Sequence, residues 1–166
     1  MEAMIIRELK RHFPARVPEW VNAWTLVAWG VYVVLHPSLF HQTAFAGLAS
    51  MAPKGVEAAS FWGLVSITVG WVRVMALFVN GAYSRTPLIR LVMSLTSAFV
   101  WSQIVIGFWL TGTPSTGLVM YSSAVLMDLI SAYRATCDAA IAEGTRRAAG
   151  VKKRDRPNEY GAVGGI

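Results

Sequence analysis

Arg73 and Asp128 are the two residues whose type and setting demand a chemical explanation. Arg73 lies within the apolar run 61–78 and Asp128 within the run 116–136, each well away from the ends. A charge in hydrocarbon is costly, and it persists where it has a counter-ion or a task such as a proton or ion relay. A carboxylate that accepts a guanidinium satisfies both groups where water is scarce, so the expectation is that these two pair. Such a pair serves either as a relay or as a structural contact that fixes helix register. A third arrangement has Arg73 reaching towards headgroups while Asp128 meets Arg90 or Arg134.

The remaining reactive side chains are sparse. His12, His36 and His41 are the three histidines, and the spacing of the last two puts them on different helix faces. They form neither a His-Glu-x-x-His pattern nor a pair at matched depth for a haem. Serines and threonines are plentiful, but none sits in a Gly-x-Ser-x-Gly turn. The glycines near the C-terminus lack the Lys-Ser/Thr of a phosphate-binding loop. Cys137 is the single cysteine, which excludes an internal disulfide and a multi-thiolate metal site. The expectation is a chain without catalytic residues, metal ligands or cofactor.

Those two charges must be held by the elements around them. Charged residues make up 14% of the 166-residue chain and apolar residues 55%. Soluble domains carry about 25% charged residues, so the deficit indicates lipid as the solvent. Crossing the hydrocarbon takes about 20 apolar residues in a helix. Residues 17–36, 60–80, 88–110 and 116–136 qualify, which predicts an all-α polytopic membrane protein built as a four-transmembrane-helix bundle. Pro37, Asn80-Gly81 with Thr86-Pro87, and Thr111-Gly112-Thr113-Pro114 supply the breaks. The connections are an interfacial outer loop at 37–59, an inner loop at 81–87 and an outer turn at 111–115.

Charge sets the orientation. Of the 15 Lys and Arg, all but Lys54 and Arg73 flank the ends that share a side with the termini. The positive-inside rule therefore predicts both termini in the cytoplasm. The net charge of +6 is explained by orientation and by anionic headgroups at the cytoplasmic face, not by nucleic acid. Trp20 and Trp24 near the inner boundary, and Trp62 and Trp109 near the outer, fit aromatic belts. The first apolar run, followed by Ala44-Phe45-Ala46, loosely resembles a cleavable secretory signal. Its length and its aromatic residues favour a retained span.

The flanks are legible as well. Residues 1–16 form a cytoplasmic amphipathic helix, with Ile5, Ile6, Leu9 and Phe13 on one face and Pro14 as its stop. Residues 137–149 extend the fourth span as a cytoplasmic helix, Gly150 ends it, and 150–166 read as a disordered basic tail. No internal repeat is visible, which leaves an inverted-repeat transporter unsupported.

Helical spacing, at about 100° per residue, sorts each span into faces. Gly63, Ser66, Gly70, Arg73, Leu77 and Asn80 share one stripe of the second span, and Gly117, Tyr121, Ala124, Asp128, Ser131 and Ala135 one of the fourth. Arg90, Ser94, Ser97 and Trp101 line one side of the third span, and Thr96, Gln103 and Gly107 another. The first span aligns Asn22, Thr25, Trp29, Tyr32 and His36. Small residues allow close helix approach, so packing explains most of these stripes. Asn22, Asn80 and Gln103 are the expected polar members of the interior. Arg73 and Asp128 lie about 18 Å and about 16 Å below the starts of their spans, at matched depth.

The segments Arg73-Val-Met-Ala-Leu-Phe-Val-Asn-Gly81, Arg85-Thr-Pro-Leu-Ile-Arg90 and Trp101-Ser-Gln103 resemble small four-span inner-membrane proteins of bacteria and their phages. The resemblance covers the second to fourth spans and implies a compact cytoplasmic-membrane protein, with no activity attached. Three functions follow as expectations. The first is a non-catalytic accessory or structural membrane component that binds lipid, a membrane partner or a second copy of itself. The second is a holin-like lysis protein. The third is a small carrier or channel subunit that uses Arg73, Asp128 and Gln103.

Overall fold

The computed structural model describes the backbone of residues 2–82 and 87–154 and the side chains of residues 16–79, 88–145 and 147. Five helices account for most of it: α1 (Glu2–Leu35), α2 (Ala46–Ser50), α3 (Ala58–Ala82), α4 (Pro87–Leu110) and α5 (Thr116–Arg154). Among the described residues there are no strands. Three stretches are long and apolar enough to cross a membrane: Ala58–Val79 in α3, Leu88–Leu110 in α4 and Thr116–Thr145 in α5. α1 is not among them. Glu19, Asn22 and Thr25 dilute its apolar character.

The four long helices alternate in direction. α1 packs along α3 and α4 along α5, while α3 meets α4 and α1 touches α5, so α3 and α5 face each other across the bundle. The α1–α3 seam is built on small residues: a Cβ on Gly30 would lie 2.6 Å from the Gly63 carbonyl oxygen, and one on Gly70 would lie 3.1 Å from that of Ala23. Only glycine permits this backbone approach.

Several boundaries differ from expectation. α1 runs unbroken through Pro14, so no break separates a helix at 1–16 from the first apolar run. Proline forfeits one backbone hydrogen bond, but its fixed φ is itself helical, and here the helix continues. α1 ends at Leu35, where Pro37 forces His36 out of helical geometry (φ −127°, ψ 62°). α5 passes Gly150 and continues to Arg154, so the start of the expected tail is helical. Residues 155–166 lie outside the described residues, as do 83–86 of the expected inner loop.

The 37–59 connection is folded. Two 3-10 turns, Pro37–His41 and Thr43–Phe45, lead into α2. α2 packs on α4 and buries Leu48 completely. Trp62 Nε1 donates to the Leu48 carbonyl at 2.9 Å, so Trp62 is a buried anchor for α2 and not a belt residue. Trp109, 72% exposed, remains on the surface. At 111–115, Gly112 takes a left-handed φ of 62°, and the Ser115 hydroxyl accepts from the Gly117 amide to cap α5.

The core lies nearest this end. Leu26, Trp62, Val100, Trp101, Ile104 and Phe108 are buried together, with Phe45 and Tyr121 against them. Trp101 stacks on Tyr121 at 5.7 Å between ring centroids, and Trp29 Nε1 donates to the Tyr121 hydroxyl at 3.1 Å.

Candidate functional site: buried ion pairs across the bundle

Below that aromatic layer, towards the end that carries the termini, the interior becomes charged. Arg73 projects from α3 and Asp128 from α5, the helices that oppose each other diagonally. Arg73 Nη1 donates to Asp128 Oδ1 with both side chains buried. The stripes explain the meeting. Gly63, Ser66, Gly70, Arg73 and Leu77 all face inwards on α3, and Asp128, Ser131 and Ala135 do so on α5. The contact is a single hydrogen bond and not a two-pronged fork. Arg73 Nη2 and Asp128 Oδ2 are buried without a hydrogen-bond partner.

A second ion-pair system, absent from the sequence expectations, lies nearer the termini. Arg90 at the start of α4 donates through Nη2 to Glu19 Oε1 of α1 at 2.6 Å and through Nη1 to Asp138 Oδ2 of α5 at 2.7 Å. Arg90 and Glu19 are buried, while Asp138 is 54% exposed. Arg16 completes the group. Burial lowers its pKa, and the like charge of Arg90 adds to this, while Glu19 and Asp138 oppose it. Arg16 and Arg90 together balance Glu19 and Asp138, as Arg73 balances Asp128. Arg90 is thus committed elsewhere and Arg134 is exposed, so neither replaces Arg73 at Asp128.

Glu19 did carry a signal in sequence. It is the one carboxylate inside the first apolar run, although it stands only two residues from the start of that run. Arg90 stands just inside the third run, at the same end of the bundle. Asp138 had no such flag, because it lies beyond the apolar stretch.

The other expected interior residues divide. Asn22 is buried and donates through Nδ2 to the Ala124 carbonyl of α5 at 3.1 Å. Gln103 is half-buried on α4 and takes no part in either ion-pair system. The side chain of Asn80 lies outside the described residues. Thr25 and Tyr32 point outwards on α1, and His36 just past its end is exposed; the inward face there holds Glu19, Asn22, Ala23, Leu26, Val27, Gly30 and Val33. Among the described residues, no three His, Cys, Asp or Glu side chains gather as a metal-binding group.

The described residues together define an all-helical class of protein with three helices long and apolar enough to cross a membrane and with charges buried between helices. No protein-family model, curated protein or solved structure matches the chain.

Proposed function

We propose that the chain is a non-catalytic integral protein of the bacterial inner membrane, of host or phage origin, in which α1 is a fourth span and both termini are cytoplasmic. In this reading the buried charges hold four helices in register, and the working surface is the cytoplasmic continuation of α5. The observation that carries it is the length of α5. Its 39 residues reach about 58 Å, nearly twice the roughly 30 Å of a hydrocarbon core. The excess projects past Asp138 and carries Arg146, Arg147, Lys152, Lys153 and Arg154, a basic stalk suited to anionic headgroups or to an acidic partner. The charge balance of the ion pairs supports the structural role given to them.

A photo-crosslinker at Ile141, which is 69% exposed, tests this reading in cells. The expected result is a discrete protein or lipid adduct that disappears when Arg146, Arg147, Lys152, Lys153 and Arg154 are changed to Glu. Abrupt loss of membrane potential and lysis on controlled expression would instead establish the holin-like alternative.

A carrier or channel subunit is the second reading, favoured by Arg73 and Asp128 buried in mid-helix. Ion flux in proteoliposomes that is abolished by Arg73→Leu would establish it. The aromatic layer of Trp29, Trp101, Tyr121 and Phe108, which fills the bundle beyond the pair, opposes a continuous path.

A further inference from the structure

We infer that the bundle binds one ordered water between its two ion-pair systems, and that this water joins them into a single network. Glu19, Arg73 and Arg90, among others, line a small pocket of about 10 Å³, room for one water. Both arginines keep a buried nitrogen without a hydrogen-bond partner, Arg73 Nη2 and Arg90 Nε. The Glu19 carboxylate, which takes Arg90 Nη2 through Oε1, has lone pairs to spare. One water accepts from the two guanidinium groups and donates to that carboxylate. This satisfies groups whose burial without partners is unfavourable, at a small entropic cost for holding the water.

Charge selects water over an ion. Two guanidinium groups on the wall disfavour a cation. The surrounding side chains already balance, so an anion would leave the interior with an uncompensated negative charge. The water then links Asp128 and Arg73 to Glu19, Arg90 and Asp138, residues drawn from all four long helices.

Two measurements test the site on the full chain in detergent micelles. With 15N-arginine labelling, water-to-guanidinium cross-relaxation should show bound-water cross-peaks at the Arg73 η and Arg90 ε protons. None is expected at Arg147, which is 78% exposed in its side chain. Single Arg73→Lys and Arg90→Lys variants assign the signals. Absence of bound-water peaks at both arginines would overturn the proposal. The second measurement compares melting temperatures of Asp128→Asn, Glu19→Gln and the double variant. A bridged network predicts a combined loss smaller than the sum of the single losses, because either change already disrupts the shared water. Strict additivity would also overturn it.

Discussion

Asp128 accepts from Arg73, and replacing it with a neutral residue leaves a guanidinium buried and uncompensated. Removing one partner of a buried ion pair in soluble proteins costs about 3–5 kcal/mol. Asp128→Asn is therefore expected to lower the detergent melting temperature clearly, whereas Arg134→Gln, at an exposed position, should leave it unchanged. Glu19→Gln should destabilise comparably, since Arg90 would keep only the half-exposed Asp138. Equal melting curves for Asp128→Asn and the unaltered protein would show that the pair does not hold the bundle. These charges were legible in sequence to the extent that each stood alone in an apolar run. Arg73 and Asp128 did so conspicuously. Glu19 and Arg90 stood close to span ends, where a charge is equally well explained by headgroups and water, and that ambiguity hid their pairing. Depth along the helix placed Arg73 beside Asp128 in advance; the diagonal arrangement of α3 and α5 came only from the structure.

Helix faces were readable where small residues marked them and unreadable where polarity was the guide. On α3 and α5 the glycine, alanine and serine stripes face inwards as the spacing predicts. On α1 the polar stripe divides: Asn22 and Trp29 turn inwards, while Thr25, Tyr32 and His36 do not, and the reason is local chemistry. The Thr25 hydroxyl donates to the Val21 carbonyl at 2.8 Å, and His36 Nδ1 bonds the Tyr32 carbonyl at 2.9 Å. A side chain satisfied by its own helix needs no interior neighbour. Gly30 and Ala23 were the better guides, because they set how closely α1 approaches α3. Gly30→Val is expected to force the two backbones apart and cost about 1–3 kcal/mol, read as a lower melting temperature. Gly144→Ala provides the contrast. Its added Cβ meets nothing within 4 Å, and the gain in helix propensity should stabilise α5 by up to about 1 kcal/mol. The fold of 37–57 was hidden for a different reason: its short helix is held by Trp62 and the turn before it by Phe108, contacts far removed in sequence from the turns that begin it.

Over the whole molecule, three helices carry the apolar length of a membrane span, and the proposal adds α1 as the fourth. α1 is less apolar because it contributes Glu19 and Asn22 to the interior, where Arg90 and the Ala124 carbonyl receive them. Within its apolar run, the charged and amide part of its polarity thus lies inside the bundle. An even number of spans puts both termini on one side, and an odd number separates them. Cys137, exposed in the second half of α5, reports the end of the bundle from which the C-terminus leaves. Glu2→Cys in a Cys137→Ala background reports the N-terminus, and Lys54→Cys in that background reports the opposite end of the bundle. In intact spheroplasts treated with a membrane-impermeant maleimide, the four-span account predicts labelling of the Lys54→Cys protein alone. The two terminal thiols should react only after the membrane is opened. Labelling of the Glu2→Cys protein from outside, with Cys137 still protected, would place α1 out of the membrane and contradict the account.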